Sequence, residues 1–294
     1  MREFADIAGM RAAVAQARRS GLRVGFVPTM GYLHDGHLAL VAAARRETDV
    51  VVMSVFVNPL QFGPNEDLAT YPRDLARDRR MADGAGVDLL WVPSVDVMYP
   101  AQPAVTVEPG AVGSILEGAV RPGHFAGVLT VVLKLFNVVQ PDVAIFGRKD
   151  AQQAALIRLM VRDLDLPVRV IVEPTVRDAD GLALSSRNVY LDATTRTQAL
   201  ALPRALAAGV AAFRGGERRA GQVIAAAWRE LDGAPGIVTE YLSVVDPATF
   251  LPSHAATPDS ILAAAVRVGP KRLLDNVVLG SGLDGDPRLP VPAA

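Results

Sequence analysis

The fold is decided by the ten residues from Pro28 to His37, which read PTMGYLHDGH. An apolar run, Val24–Val27, precedes them, and a helix-like stretch, Leu38–Arg46, follows. This order predicts a strand, a glycine-bearing loop and a helix start, where backbone N–H groups and the helix dipole favour an anion. His34 and His37 are three residues apart and would face the same side of that helix start. The stretch therefore predicts a nucleotide-handling site.

The same stretch differs from the familiar glycine-rich phosphate loops. Gly31 and Gly36 have the spacing of G-x-x-x-x-G-K-[ST], but His37 and Leu38 stand where Lys and Ser or Thr are required. No G-x-G-x-x-G follows a predicted strand, which argues against a dinucleotide fold. The chain has only four histidines, and two of them fall at this junction, which argues against an incidental glycine turn.

Strand-like and helix-like segments alternate through the first 175 residues. The apolar runs are Leu22–Val27, Val50–Val57, Val87–Val92, Asp142–Phe146 and Val168–Val172. The helical patterns are Ala8–Arg19, Leu38–Arg46, Tyr71–Ala85, Phe125–Val139 and Ala151–Asp163. Runs that are apolar at nearly every position are typical of parallel strands covered on both faces. The alternation predicts an α/β fold, a doubly wound parallel sheet over residues 1–175, with ligands beyond the carboxyl ends of its strands.

A second, smaller α+β domain is predicted over residues 176–280. Its helical patterns are Thr194–Phe213 and Ala220–Leu231, and its strand patterns are Thr239–Val245, Ile261–Val268 and Lys271–Val278. Gly269-Pro270 joins the last two strands and predicts an antiparallel hairpin. Residues 281–294 are rich in Gly, Pro and Asp, which predicts a disordered tail.

Composition limits the classes of function. With 294 residues, 50% of them hydrophobic, the chain is long enough for two globular domains. The 30 basic and 31 acidic residues give no overall attraction to nucleic acid or to an anionic membrane. The absence of cysteine excludes disulfides and a thiolate nucleophile. We find no signal-peptide pattern and no apolar run of the roughly 18 residues that span a bilayer, so the predicted location is cytoplasmic.

Five motifs occur in order along the chain. They are PTMGxLHxGH from Pro28, FVNPxQF from Phe56, HFAGV from His124, KDxQQ from Lys149 and LSSRN from Leu184. Together they resemble the pantoate–β-alanine ligase family, and the resemblance runs from about residue 20 to residue 280. The H-x-G-H element alone would indicate only the wider group of nucleotidylyltransferases and class I aminoacyl-tRNA synthetases.

The resemblance implies an ATP-dependent ligase that condenses (R)-pantoate with β-alanine. The products would be pantothenate, AMP and pyrophosphate, formed through a pantoyl-adenylate. It also implies a Rossmann-like first domain, a C-terminal lid domain, dependence on Mg²⁺ and a homodimer. Two alternatives remain: a nucleotidylyltransferase that transfers AMP to a phosphorylated acceptor, and a catalytically silent nucleotide-binding regulator. A phosphorylated acceptor would require cations where Gln61 and Gln153 stand, and the retained His37 and Lys149 argue against a silent regulator.

The resemblance also assigns residues to roles. The catalytic residues would be His34, His37, Lys149 and Arg187. The ATP-binding residues would be Met30, Gly31, Tyr32, Leu33, His34, Asp35, Gly36, His37, Gly147, Arg148, Lys149, Asp150, Val176, Leu184, Ser185, Ser186 and Arg187. Substrate contacts would come from Gln61, Gln153, Met30, Asn58 and His124, with Phe62, Tyr71 and Val128 as further candidates. No residue is assigned to the metal, because Mg²⁺ is expected mainly on phosphate oxygens.

The chemistry is consistent with these residue types. Adenylation brings two anions together, so the site must neutralise charge and align the reactants. Lys149 follows the apolar run that ends at Phe146-Gly147, and its compact ammonium can bridge phosphate oxygens. The Ser185–Arg187 segment resembles the K-M-S-K-S loop, whose hydroxyls and guanidinium can cover pyrophosphate. The amides of Gln61 and Gln153 can bind pantoate without an ion pair that would quench its carboxylate.

One position departs from the family pattern. The family usually reads Gly-Glu-Lys-Asp where this chain has Gly147-Arg148-Lys149-Asp150. The change places two cations side by side and removes a carboxylate. The sequence leaves open whether Arg148 faces away from the phosphates or adds to their binding.

Overall fold

The structure is a computed structural model that describes residues 1–64 and 66–289. It divides into two compact units. The first comprises Met1–Gly147 with Leu156–Glu173, and the second comprises Arg148–Ala155 with the chain from Pro174 onward. The sequence pattern instead predicts a division after residue 175, with the short segment Arg148–Ala155 in the first domain.

The first unit contains a six-stranded sheet in which every pair of neighbouring strands is parallel. The strands are β1 (Arg2–Phe4), β2 (Val24–Thr29), β3 (Val50–Val55), β4 (Leu89–Trp91), β5 (Val143–Gly147) and β6 (Arg169–Glu173). Their order is β1-β4-β3-β2-β5-β6. The five predicted apolar runs correspond to β2–β6. β1 was not predicted, because its three residues form a short, mostly exposed edge strand without an apolar run.

Helices cover both faces of this sheet. They are α1 (Ile7–Arg19), α2 (Asp35–Glu47), α3 (Leu75–Gly84), α4 (Val95–Met98), α5 (Glu117–Val120), α6 (His124–Val139) and α7 (Ala151–Asp163). Consecutive strand residues alternate between two hydrophobic clusters. Phe26 and Val52 pack with α1, α6 and α7, whereas Val27 and Val51 pack with α2 and α3. This two-sided burial confirms the predicted doubly wound sheet.

The second unit is a smaller α+β structure. Its helices are α8 (Ala193–Ala199), α9 (Ala201–Arg214) and α10 (Ala220–Asp232), and its strands are β7 (Ile237–Val245), β8 (Ile261–Val268) and β9 (Lys271–Val278). The three strands form an antiparallel sheet in chain order, against which α9 and α10 bury their apolar faces. Val268 pairs with Lys271, so the hairpin predicted at Gly269-Pro270 is confirmed.

Two predicted helices differ in extent from the observed ones, one because of a proline and the other because of a capping residue. The stretch Thr194–Phe213 is two helices that meet at Leu200. Pro203 lies in the first turn of α9, where its missing N–H cannot continue the hydrogen bonds of α8. Helix α3 begins at Leu75 rather than Tyr71, because Asp74 caps it by accepting the N–H of Arg77 at 2.9 Å.

The predicted disordered tail is wrong for residues 281–289. A 3₁₀ turn spans Leu283–Gly285, and Asp286 is 5% exposed. The N–H of Arg177 donates to the carbonyl of Pro287, and the N–H of Leu289 donates to the carbonyl of Arg177, both at 2.9 Å. The segment is therefore paired with the backbone of the second unit, and the remainder of the predicted tail, 290–294, lies outside the described residues.

The order of strands in the first unit marks where a ligand should lie. β2 and β5 are neighbours, although β3 and β4 separate them in the chain, so the sheet grows in opposite directions from this pair. Ligands of open parallel sheets bind beyond the carboxyl ends of the strands at such a point. The loop from Met30 follows β2, and β5 ends at Gly147. Within 1–64 and 66–289, no helix is long and apolar enough to cross a membrane.

Candidate active site

A single buried carboxylate shapes the loop that follows β2. Asp78 on α3 is 1% exposed and accepts the N–H groups of Tyr32 at 2.9 Å and Leu33 at 2.7 Å. Gly31 has φ +82°, and a Cβ there would lie 2.8 Å from Val55 Cγ1 and 2.9 Å from Asp78 Oδ2. Only glycine fits this position without strain, because both the dihedral angle and the space exclude a side chain.

The backbone donors of this loop are already used within it. The N–H of Gly31 donates to Thr29 Oγ1 at 3.2 Å, and the N–H of His34 donates to His37 Nδ1 at 3.3 Å. With the two bonds to Asp78, the N–H groups of residues 31–34 all have partners inside the protein. The expectation that these groups would face an anion is therefore corrected.

The two histidines form a stacked pair at the start of α2. Their ring centroids are 4.1 Å apart, with an angle of 39° between the planes, and both residues are partly exposed. His37 Nδ1 accepts a backbone hydrogen, so the neutral ring carries its proton on Nε2. The pair thus has at least one N–H group that could donate a hydrogen bond to an oxyanion.

A chain of side-chain hydrogen bonds joins the loop after β2 to the loop after β3. The hydroxyl of Tyr99 donates to Asn58 Oδ1 at 2.9 Å, and Asn58 Nδ2 donates to Gln61 Oε1 at 3.0 Å. Gln61 Nε2 in turn contacts Met30 Sδ at 3.1 Å. Asn58 and Gln61 are 1% and 8% exposed, so the chain fixes the orientation of both amides. Burial raises the pKa of Tyr99 to about 12, so its hydroxyl remains a donor well above neutral pH.

The start of α6 packs directly against this second loop. Asn58 Nδ2 also donates to the carbonyl of Gly127 at 3.1 Å. A Cβ at Gly127 would lie 2.2 Å from the carbonyl oxygen of Leu60 and 2.7 Å from the nitrogen of Gln61. The two backbones can approach this closely only because residue 127 has no side chain.

His124, the first residue of α6, is a neutral imidazole in this arrangement. Burial, followed by the charge of Arg121, lowers its pKa. Its Nδ1 lies 2.9 Å from the carbonyl oxygen of Gln61 and must be the donor, and Arg121 Nη1 donates to its Nε2 at 3.0 Å. Arg121 is held in turn by Glu66 at 2.6 Å and by the buried Glu117 at 3.5 Å. The hydrogen bonds and the lowered pKa are therefore both consistent with a neutral His124 that carries its proton on Nδ1.

In the second unit, Arg148–Asp150 forms a 3₁₀ turn at the start of α7. The ammonium of Lys149 lies 3.6 Å from Asp150 Oδ1, and its side chain is 22% exposed. The guanidinium of Arg148 donates to Asp286 and forms an intramolecular ion pair with it. Gln153 lies on α7 and is partly buried.

The predicted pyrophosphate loop of the second unit is ordered by local bonds. The N–H of Leu184 donates to the carbonyl of Val176 at 3.0 Å, which places these two residues side by side. Ser185 Oγ accepts the N–H of Arg187 at 3.3 Å and caps a 3₁₀ turn, Ser186–Tyr190. The predicted residues of this unit therefore form two groups, one around Lys149 and one around Ser185.

Some candidates serve mainly as packing. Val128 is 2% exposed and belongs to the hydrophobic core beneath α6. Tyr71 is 5% exposed, and Phe62 meets its ring edge to face at 5.9 Å between centroids. Asp35, in the first turn of α2, is exposed.

Four residues of this site were not predicted from the sequence: Asp78, Tyr99, Arg121 and Glu66. Asp78 had a recognisable signal, because it lies on the buried face of α3, one turn before Ala82. A carboxylate on an apolar helix face requires hydrogen-bond donors, and the nearby glycine loop supplies them. The other three residues carry no such local signal.

No group of three or more His, Cys, Asp or Glu side chains in the described parts of the chain could hold a metal ion.

Comparison with known proteins gives consistent results. The family model described as Pantoate-beta-alanine ligase matches residues 2–278. The chain is 55% identical to the pantothenate synthetase of Moorella thermoacetica over 273 residues, which cover 93% of this chain and 96% of that protein. It is 52% identical to pantothenate synthetase 1 of Bradyrhizobium diazoefficiens over 280 residues, which cover 95% and 98%.

Solved structures agree with this match. The pantothenate synthetase of Thermus thermophilus superposes with a TM-score of 0.89 at 50% identity, over 95% of this chain and 99% of that one. The pantoate-beta-alanine ligase of Francisella tularensis, complexed with beta-gamma ATP and beta-alanine, gives a TM-score of 0.77 at 33% identity, over 96% and 99%.

Proposed function

The chain belongs to the pantoate–β-alanine ligase family, and from this premise we propose how its residues join pantoate to β-alanine at the expense of ATP. The observation that carries the function is the match of the family model over residues 2–278. The chain is a ligase that forms a C–N bond. The two alternatives, a nucleotidylyltransferase for a phosphorylated acceptor and a silent regulator, gain no support from the relatives.

One assay separates the three functions. The protein is mixed with ATP, Mg²⁺, pantoate and β-alanine, and AMP is measured together with the amide product. The ligase forms both in equal amounts and needs both substrates. AMP transfer to a phosphorylated acceptor, or the absence of any turnover, would reject the proposal.

We propose a reaction in two steps, each balanced in its bonds. A carboxylate oxygen of pantoate attacks the α-phosphorus of ATP, the bond to the β-phosphate oxygen breaks, and pyrophosphate leaves with the electron pair. The neutral amine of β-alanine then attacks the acyl carbon, AMP leaves, and the amine loses a proton. A free carboxylate has no good leaving group, so activation must precede attack by the amine.

We propose that the phosphates of ATP are bound by His34, His37, Lys149 and the Ser185–Arg187 turn. The support from the structure is the type and local arrangement of the polar groups that these residues carry. His37 has its Nε2 proton oriented by the bond to the backbone of His34, and Lys149 presents a partly exposed ammonium on a short turn. Arg187 supplies a guanidinium suited to bidentate binding of pyrophosphate. The other proposed ATP contacts are the remaining ATP-binding residues named from the resemblance, except Arg148, whose guanidinium is paired with Asp286.

Pantoate is proposed to bind beside the chain of amides in the first unit. Gln61, Asn58 and His124 are buried and mutually hydrogen-bonded, and Met30 contacts the Gln61 amide. An amide held in one orientation can bind a hydroxyl or a carboxylate with little loss of side-chain entropy. Gln153 is proposed as a second contact to pantoate on the resemblance alone.

Replacing Gly127 with alanine is expected to disrupt this pocket. The new Cβ would lie 2.2 Å from the carbonyl oxygen of Leu60, so the Asn58–Gln61 loop must move. We expect the free energy of unfolding to fall by about 1–3 kcal/mol, as for other overpacked sites. The KM for pantoate should rise more than the KM for ATP. Denaturant titration and steady-state kinetics measure the two effects.

Gly84→Ala is the matched control, since no atom lies within 4 Å of the new Cβ and the residue is also helical. Its stability and its KM values should stay close to those of the parent. A Gly127→Ala protein with an unchanged KM for pantoate would place the pantoate pocket elsewhere.

Adenylate formation is expected to proceed without β-alanine. In ATP labelled with ¹⁸O at the bridge between the α- and β-phosphorus, positional isotope exchange should appear with pantoate and Mg²⁺ alone. Exchange should be lost in Gln61→Ala and in Gln153→Ala while ATP binding is retained. Exchange that requires β-alanine would support a concerted route instead, and unchanged pantoate affinity in both variants would contradict the assignment of the two glutamines.

Mg²⁺ is proposed to arrive with ATP. The described residues offer no cluster of carboxylates or imidazoles, whereas Mg²⁺ readily takes phosphate oxygens and water as ligands. No residue of the chain is assigned to it. When bound, it would neutralise phosphate charge.

We also propose a homodimer that works in the cytoplasm. The family resemblance supports the dimer, and a supply of ATP supports the location. Sedimentation of the purified protein tests the first, and fractionation of the source cells tests the second.

A further inference from the structure

Arg177 is the centre of a buried network of charges in the second unit. Its side chain is fully buried, yet all five of its N–H donors have acceptors. The acceptors are Asp286 at 2.8 Å, Asp275 at 2.7 and 3.0 Å, and the carbonyls of Gly181 and Asn276, each at 3.2 Å. A buried guanidinium is tolerated only when it is paired in this way.

The network includes a second cation, Arg148. Asp286 uses one carboxylate oxygen for Arg177 and the other for Arg148, whose side chain is 17% exposed. Two guanidiniums and two carboxylates therefore balance in charge. The Arg148–Asp286 ion pair joins residues 138 positions apart. It connects the C-terminal segment, 281–289, to the turn at Arg148–Asp150.

Asn276 makes the second connection to the same turn. Its side-chain amide donates to the carbonyl of Arg148 at 2.8 Å and to the carbonyl of Lys149 at 3.0 Å. Its own N–H donates to Asp275 Oδ1 at 2.7 Å, and its carbonyl accepts from Arg177. The backbone on either side of Lys149 is thus fixed by one buried amide that belongs to the network.

We propose that Arg148 and Asn276 are positioning residues for Lys149, with Asp286 of the C-terminal segment as the anchor of Arg148. This inference rests on the proposed role of Lys149 at the phosphates. The ammonium of Lys149 sits on a flexible four-carbon stem, so its reach depends on where its backbone is held. Fixing two successive carbonyls and the adjacent side chain of the turn restricts that backbone.

The first test replaces Arg148 with methionine, which keeps the aliphatic stem and removes the guanidinium. Asp286 keeps its bond to Arg177, so the fold should survive. We expect kcat/KM for ATP to fall about tenfold, less than the roughly 10²-fold that a 1 Å misplacement can cost. Arg148→Lys should recover part of the loss, because an ammonium can still donate to Asp286. Asn276→Ala, which removes both bonds to the turn, should also lower kcat/KM for ATP.

Arg214→Met is the matched control. Arg214 contacts the same C-terminal segment, through Asp284 at 3.0 Å and the carbonyl of Ser281 at 2.9 Å, but from an exposed position. The Arg214→Met variant should leave kcat/KM for ATP unchanged. Equal losses in the two variants, or no loss in both Arg148→Met and Asn276→Ala, would overturn the inference.

A double variant then separates positioning from general damage. If Arg148 acts through Lys149, Arg148→Met in a Lys149→Ala background should cause no further loss. A fully additive loss would overturn the positioning role while leaving the role of Lys149 intact. Wild-type turnover in Lys149→Ala alone would reject the proposed role of Lys149 and the inference with it.

Discussion

Replacing Lys149 with alanine is expected to lower the rate of AMP formation by about 10²–10³, the usual cost of one lost charge-stabilising donor in a preorganised site. Adenylation joins two anions, so loss of a cation at the phosphates should affect the transition state more than the fold. The side chain of Lys149 is partly exposed and lies beside Asp150. The measurement is AMP release under saturating ATP, pantoate and β-alanine, with unfolding midpoints recorded alongside.

The neighbouring arginine provides the comparison. Arg148→Ala should cost much less than Lys149→Ala, because the guanidinium is bound to Asp286. Lys149→Arg should restore only part of the rate, since a planar fork replaces a compact charge. A greater loss in Arg148→Ala would mean that the phosphate contact belongs to Arg148.

Replacing His37 with alanine is expected to reduce adenylation by about 10²–10³ as well. The bond from the His34 backbone to Nδ1 leaves the proton of the neutral ring on Nε2, and that donor would be lost. The residue is partly exposed at the start of α2 and belongs to none of the hydrophobic clusters of the described residues, so the free energy of unfolding should change little. Single-turnover formation of pyrophosphate from ATP and pantoate isolates this step.

His254→Ala is the control for this variant, because His254 is exposed and lies in the second unit. Its turnover should match that of the parent protein. A folded His37→Ala protein that forms pyrophosphate at the parent rate would remove His37 from the catalytic set.

The candidate site was only partly predictable from local pattern. The stretch from Pro28 to His37 predicts a strand–loop–helix junction, and the structure has β2 ending at Thr29 and α2 beginning at Asp35. The loop donors were expected to face a ligand, but a carboxylate from α3, 45 and 46 residues away, accepts two of them. No periodicity in either segment specifies that pairing, because it depends on how α3 packs against the sheet.

The partner of Arg148 was also not predictable from local sequence. Its neighbours in sequence left two orientations open, and its partner lies in a segment whose composition predicted disorder. Residues 281–289 are ordered because Asp286 meets two guanidiniums and because the backbone of Arg177 pairs with Pro287 and Leu289. Composition predicts disorder when a segment has too few apolar residues to form a core of its own. Residues 281–289 are ordered in a different way, because they complete a polar network centred on Arg177.

The sequence by itself determined the alternation of strands and helices, the parallel sheet and the small antiparallel hairpin, because side-chain burial repeats with the period of each element. It also determined the family, through motifs whose residue types and order are read without coordinates. Only the tertiary structure decided which polar groups meet: Asp78 with the loop, Asn58 with Gln61 and Gly127, and Arg148 with Asp286. Burial obliges each polar group to find a partner, but packing between distant elements selects which one it finds.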